Sequence, residues 1–496
     1  MLSTAATSPS PLVFLILLRS FSAAAVRNHR ALLQSNSKEQ WAQLGNDIDG
    51  QVAEDWFGYS ASMSGDGRTF VAGGPGNHSP THDGNGNTKP NPDYVQVFEY
   101  SNESWIQLGN DIVFEGTGDR FGNSVAMSND GRAITVGGPL NGGNGDGSGC
   151  VRVFEYSMHG GSWIQMGGDI SGINADDGFG YSVAMSGDGT TIVAGGPWNH
   201  ENGRDSGHVR VFEYSNGSWV QLGDAIDGEG TGDRFGSSVA ISGDGITIIA
   251  GGPWNHRNGD GSGHARVFEY SGGSWIQLGD AINGEAAGDD FGYSVAMSED
   301  GRTIVAGGPS PQFNGRDSGH ARVFEYSTSG SWIQLGGVID GEAAGDRFGV
   351  SVAMSGDGRT IVAGARQNGG KANGTGYARV FEYCNGAWNQ LGGVIDGETT
   401  NDKFGISVAM SKDGRTIVAG TLENDNGSGQ VRVYARRTDV AIEKSLGLIL
   451  VGVVIVGAFY LCIAVGCFFW RRTRKRTSKM DQHDPMLLLP FVLKDE

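Results

Sequence analysis

Residues 235–278 run Phe235-Gly-Ser-Ser-Val-Ala-Ile-Ser242, Gly243-Asp244-Gly245, Thr247-Ile-Ile-Ala-Gly-Gly-Pro253, the polar loop Trp254-Asn-His-Arg-Asn-Gly-Asp-Gly-Ser-Gly263, His264-Ala-Arg-Val-Phe-Glu-Tyr270 and Trp275-Ile-Gln-Leu278. Short runs with alternating or continuous apolar residues are bounded by Gly, Asn, Asp and Pro, and no helical period appears. The stretch reads as four short antiparallel strands.

The unit recurs along the chain. Its Trp falls at Trp41, Trp105, Trp163, Trp219, Trp275, Trp332 and Trp388, at spacings of 64, 58, 56, 56, 57 and 56 residues. An Asp-x-Phe-Gly element keeps step, with Phe57, Phe121, Phe179, Phe235, Phe291, Phe348 and Phe404. A fixed period of this length marks a repeat architecture. Four-stranded units arranged radially make a propeller, and seven blades lies in the usual range. The last unit ends at Val431-Arg-Val-Tyr434 without its Trp strand, while an unpartnered Trp41-Ala-Gln-Leu44 begins the array. The N-terminal strand is therefore predicted to complete the last blade and close the ring, covering edges otherwise left open. The expected fold is all-β: a seven-bladed β-propeller of four-stranded antiparallel blades over residues 39–437, plus one C-terminal transmembrane helix.

Glycine accounts for 85 of 496 residues without a collagen period, and the formal charge of −19 argues against nucleic-acid binding. Cys150 and Cys384 lie four repeats apart, too far for an expected bridge.

The flanks carry membrane signals. An apolar run at 11–18 precedes Ala23-Ala24-Ala25, so residues 1–25 read as a secretory signal peptide. Residues 438–445 form a short stalk. Residues 446–470 contain no charged side chain and are long enough to span a bilayer. Arg471, Arg472, Arg474, Lys475 and Arg476 follow, which places the tail 471–496 in the cytoplasm. A single-pass type I plasma-membrane protein with an outward-facing propeller is expected. Asn102, Asn216, Asn373 and Asn426 head glycosylation sequons, as does the weaker Asn77. In the tail, Asp484-Pro-Met-Leu-Leu488-Leu489 has the form of an acidic dileucine signal that would bind a sorting adaptor. An endomembrane sorting or cargo receptor is the alternative reading.

The pattern Phe235-Gly236, Gly251-Gly252-Pro253 and Gly263-His-Ala-Arg-Val-Phe268 resembles the FG-GAP repeat of integrin alpha-chain head propellers. That resemblance implies a ligand-binding cell-surface propeller. It departs from the family in two ways. The family's calcium loop between the first two strands is here a short turn such as Ser242-Gly-Asp-Gly245, and no leg domains precede the apolar span. The Tyr270 to Trp275 spacing also resembles the kelch repeat, which implies the same architecture.

Loops after the second and fourth strands share one face and are the expected ligand side. Asp83, Asn85, Asn87, Asn91 and Asp93 place oxygen groups at alternate positions, a candidate calcium loop. Trp198 with His200 and Trp254 with His256 pair an aromatic ring with polar groups suited to a sugar or peptide, and Asp146 and Asp260 lie in the corresponding loops. The fourth-strand loops repeat an acid pair, such as Glu229 with Asp233. There Asp is expected to hold the turn into Phe-Gly and Glu to be solvated. His208, His264 and His320 share one position and are expected to be structural. No Gly-x-Ser-x-Gly, His-Glu-x-x-His or phosphate-loop motif is present, and no enzymatic activity is expected. The expected function is recognition or adhesion through an extracellular protein or glycan ligand, with calcium as the one candidate cofactor.

Overall fold

The computed structural model describes residues 41–76, 81–82, 88–89, 93–113, 118–310, 316–367, 374–424 and 427–436. The signal segment, stalk, apolar span and tail, including Asp484, Leu488 and Leu489, lie outside the described residues. So do Asn77, Asp83, Asn85, Asn87, Asn91, Asn373 and Asn426. Among the described residues no helix is long and apolar enough to cross a membrane.

Seven antiparallel sheets form seven blades. The fourth blade consists of an inner strand Ser238–Ile241, then Thr247–Gly252, His264–Ser271 and the outer strand Ser274–Gln277. The outer strand breaks after Gln277 and resumes as Ile282–Asn283, which pairs with the start of the third strand. This break recurs in every blade. The second strand is buried on both faces, which explains its unbroken apolar run. The cores lie between blades: Val193, Val209 and Val211 of one blade pack against Phe235, Val239, Ile248 and Phe268 of the next.

The repeated motifs are the seams between blades. Each Trp indole donates to the carbonyl of the Leu or Met ending the preceding repeat's Trp-x-Gln-Leu/Met, as Trp275 Nε1 does to Leu222 O at 2.7 Å. Each Phe-Gly carbonyl approaches the glycine that opens the preceding blade's Gly-Gly pair, which is Gly364-Ala365 and Gly420-Thr421 in the last two blades. A Cβ on Gly251 would stand 2.0 Å from Gly292 O, and one on Gly195 2.0 Å from Gly236 O. Backbone cannot yield there as a side chain tip would. Gly251→Ala is therefore expected to destabilise the protein by about 3 kcal/mol or more, read as a lowered urea midpoint. Gly217→Ala, in an open turn with no atom within 4 Å of a Cβ, should lose about 1 kcal/mol through its positive φ alone.

The ring closes as expected. Trp41–Gln43 pairs with the last blade's third strand in the register Trp41↔Arg436, Ala42↔Ala435 and Gln43↔Tyr434. Ile48–Asp49 continues it against Val431 and Gln430.

Candidate functional site

The inner strands surround a cavity of about 490 Å³. Its walls are layered. Serines opening the inner strands bind the next blade's Phe-Gly carbonyl, as Ser60 Oγ donates to Gly122 O at 2.8 Å and Ser238 Oγ to Gly292 O at 2.7 Å. Val125, Val183, Val239, Val295, Val352 and Val408 supply the apolar lining.

The floor is a ring of seven backbone hydrogen bonds. The N–H groups of Gly65, Asn129, Gly187, Gly243, Glu299, Gly356 and Lys412 each donate to the carbonyl of the next member, and Lys412 returns to Gly65, all at 2.8 or 2.9 Å. The Glu299 carboxylate accepts from both Lys412 Nζ and Asn129 Nδ2 across this ring. The cavity is thus a blind well, open on the side of the second- and fourth-strand loops. Those loops meet there: Asn255 Nδ2 donates to Asp233 Oδ1 at 3.1 Å.

Around the mouth stands the residue between Asp and Phe-Gly in each repeat, of which Arg234 lines the cavity itself. These are Trp56, Arg120, Gly178, Arg234, Asp290, Arg347 and Lys403, all with φ between +51° and +63°. The residue after Phe-Gly lies one step inward and contributes Tyr59, Tyr181 and Tyr293 to the lining. Burial, then the neighbouring tyrosines, push the phenols of Tyr59 and Tyr181 above their ordinary range, so both remain neutral donors. Arg366 follows the sixth blade's second strand and stands near Tyr293 and Tyr59 of the lining. Burial draws its guanidinium below its usual range, and Tyr293, Arg347 and Tyr59 are its charged or titratable neighbours; as an arginine it stays cationic. Asp290 is pushed up by burial and accepts from Ser310 Oγ at 2.6 Å.

The loop residues singled out in the sequence divide. Trp198 and Trp254 line the well. Trp198 covers Gly178, where a Cβ would fall 2.3 Å from the indole, and meets Tyr181 edge-on at 5.4 Å. Trp254 is 46% exposed, with the Arg234 guanidinium 4.2 Å from its ring centroid. His200 and His256 instead brace their own loops, accepting from Asp205 N at 3.0 Å and Gly261 N at 3.1 Å. Asp260 lies 3.0 Å from His256 Nδ1, and Asp146 accepts the Asp176 N–H through its backbone carbonyl at 2.9 Å. Asp93 is buried and accepts the Phe121 N–H at 3.1 Å; burial pushes its carboxyl up to about 7. Among the described residues no group of three or more His, Cys, Asp or Glu could hold a metal ion.

The repeated acid pairs are structural. Asp289 Oδ2 accepts the N–H groups of Glu285 and Ala286 at 2.7 and 2.8 Å, holding the turn. The glutamates, expected to be solvated, are in several blades ion partners. Glu285 holds Arg322 at 2.8 Å and Glu398 holds Arg432 at 3.1 Å, because these arginines are buried against aromatic rings and need a counter-charge. Cys150 and Cys384 are both unbridged.

The cationic and tyrosine ring was not singled out in the sequence. Its signal is positional: aligning the seven repeats on Phe-Gly and reading the flanking columns gives Trp, Arg, Gly, Arg, Asp, Arg, Lys before it and Tyr, Asn, Tyr, Ser, Tyr, Val, Ile after it.

Fold and site define a closed seven-bladed propeller with a blind well on its loop face. Residues 171–212, 225–268, 283–324 and 339–381 match the FG-GAP repeat. The chain thus carries four FG-GAP repeats within a seven-bladed propeller. Among curated proteins none matches its sequence. Similar solved structures include a putative 6-phosphogluconolactonase from Bacteroides uniformis (14% identity, 67% of this chain and 89% of that one, TM-score 0.44). Others are the periplasmic gluconolactonase of Pseudomonas aeruginosa (17%, 68% and 85%, 0.45) and the Dos1 propeller (14%, 79% and 95%, 0.45). At these identities the likeness concerns the fold alone.

The expectation of no enzymatic activity is corrected here. Two of the similar structures carry lactonase names, one of them putative. A ring assembles a site from single residues of many blades, which leaves no contiguous motif in sequence.

Proposed function

We propose that the protein is a single-pass type I plasma-membrane protein whose extracellular FG-GAP propeller binds a protein or glycan ligand at the mouth of the well, in recognition or adhesion. The observation that carries this reading is the contrast between mouth and frame. The blades repeat one set of seam contacts, whereas the mouth varies from blade to blade and presents half-buried cations beside aromatic rings. The uncharged stretch 446–470 and the cluster beginning at Arg471 support the orientation. Asn102 and Asn216 are exposed in turns between third and fourth strands, on the face opposite the mouth. Glycans there would leave the mouth clear.

The test is the full chain carrying one epitope tag before Trp41 and another after the tail, expressed in cells. The first tag should be stained on intact cells and the second only after permeabilisation. A first tag reached only after permeabilisation, on internal vesicles, overturns the plasma-membrane reading in favour of the sorting receptor. Surface cells should also bind their ligand through the mouth, with Trp254→Ala lowering capture at least fivefold. Capture that chelator abolishes would bring in calcium at residues 83–93.

A further inference from the structure

We propose that the mouth of the well binds the acid group of an anionic saccharide, a carboxylate- or sulfate-bearing sugar, between the guanidiniums of Arg120, Arg234, Arg347 and Arg366, with Trp254 against the sugar ring. This deepens the reading of the loop face as a ligand surface and rests on it.

The charge balance is the first ground. The chain carries a formal −19, and arginines on its blades are commonly matched: Arg152 with Asp169 at 2.7 Å, Arg322 with Glu285, Arg432 with Glu398. The four at the mouth form no ion pair within 4.0 Å among the described residues, and Asp290 and Asp93 face Arg347 and Arg120 only at longer range. The Nε groups of Arg120 and Arg366 are buried without a hydrogen-bond partner, as are those of Arg322 and Arg432, but the latter two have a carboxylate at another guanidinium nitrogen. The other cation of the ring, Lys403, is neutralised by Glu423 at 2.8 Å. An acidic protein that gathers guanidiniums without a close carboxylate around one opening offers an anion site there. Their planar forks fit carboxylate and sulfate oxygens pairwise.

The hydroxyls are the second ground. Tyr59 is electrostatically coupled to Tyr293, Arg120 and Arg366, and Tyr181 to Tyr59, Tyr293, Arg234 and Arg120. Neutral phenols among cations donate to an acid or to sugar hydroxyls without adding charge.

The shape is the third. A cavity of about 490 Å³ lies within the range of small-ligand sites. The plugged floor admits an end group and excludes a threaded chain. The exposed Trp254 ring stands beside Arg234 at 4.2 Å, so the recognised molecule presents an acid and an apolar face within one ring's width. An acidic sugar does so; an Asp or Glu side chain offers the acid alone.

The experiment uses the full chain in detergent, with binding measured to surfaces coated with polygalacturonate, a sulfated galactan, neutral galactan or poly-glutamate. One or both acidic glycans should bind and neutral galactan should not; the carboxylate and sulfate arms then name the acid. Arg234→Gln and Arg366→Gln should each weaken that binding at least tenfold, and Trp254→Ala at least fivefold with Trp254→Phe retaining most of it. Arg302→Gln, in the turn between the first and second strands of the fifth blade and paired with Glu269, should leave it unchanged. Near-ultraviolet circular dichroism identifies any variant that fails to fold, and Arg234→Lys, which keeps the charge but loses the fork, then serves in its place. Binding that none of the mouth variants alters overturns the inference, as does no binding of either glycan. Equal binding of poly-glutamate overturns the saccharide assignment while the ligand face stands. Glycan binding by a chain confined to internal vesicles would sink the plasma-membrane reading and leave this one intact.

Discussion

Trp41→Ala is expected to lower stability by about 3 kcal/mol and to open the ring at one seam. The Trp41 indole donates to Leu391 O at 2.9 Å and packs beside Leu391 and Tyr434. Chemically this is the same clasp that Trp275 makes with Leu222. The consequence differs because of chain connectivity. Blades three and four remain joined by backbone when Trp275 is truncated. At Trp41 the outer strand belongs to one end of the array and its partner Gln430–Arg436 to the other, so non-covalent contacts alone hold them together: three residue pairs, the Ile48–Asp49 extension, side-chain bonds such as Gln430 Nε2 to Asp49 Oδ1, the packing of Phe57 on Val431, and this indole. Closing a loop of this length costs chain entropy that nothing covalent offsets. Limited proteolysis of the two variants at matched urea separates the cases. Trp41→Ala should be nicked first near residues 41–60 and 430–436, Trp275→Ala should show no such preference, and equal patterns would defeat the closure argument.

The frame was legible in the sequence because every structural device is repeated. Trp41 to Trp388, the Phe-Gly pairs and the Gly-Gly pairs recur at one period, and each has one physical job at a blade seam. The missing last Trp strand and the surplus first one disclosed the closure. The break in the outer strand was harder to see, since Leu278-Gly-Asp-Ala281 reads as the end of a strand and its resumption at Ile282–Asn283 is only two residues long. The mouth was less legible for the opposite reason. Arg120, Arg234 and Arg347 each sit inside a Gly-Asp-Arg-Phe-Gly stretch that reads first as the structural Asp-x-Phe-Gly element, Arg366 lies outside it, and Trp56, Gly178 and Asp290 hold the same repeat position in other blades. Only the ring brings them together. Trp254 was found because a loop aromatic stands out by itself, whereas its neighbour His256, equally conspicuous, turns back into its own loop.

Acid sensitivity is the second large expected effect, and it resides in His208, His264 and His320. Each opens a third strand, is at most 1% exposed and lies against the Phe of its blade's Phe-Gly, as His264 does with Phe235 at 5.9 Å. Burial, then nearby arginine charge, draws His264 and His320 down to about 3. Burial also lowers His208, against the opposing pull of Asp177. A histidine neutral in the fold and basic when unfolded binds more protons in the unfolded state. Stability therefore falls as pH drops below about 6.5 and keeps falling until the folded value is reached. The slope is about 1.4 kcal/mol per pH unit for each histidine, or about 4 for all three. Buried carboxyls such as Asp93, raised to about 7, act in the opposite direction, so the whole protein's profile mixes both. A difference measurement isolates the histidines. Tyr94 and Tyr377 occupy the same position in two other blades, where their hydroxyls donate to Asp55 and Asp346 at 3.0 and 2.8 Å. The triple variant His208→Tyr, His264→Tyr, His320→Tyr is thus built from residues the repeat already accepts. Its urea midpoint should match the parent's slope above pH 7 and pull steadily ahead between pH 6 and 4. Parallel profiles across that window would mean that the histidines are not held neutral by the fold.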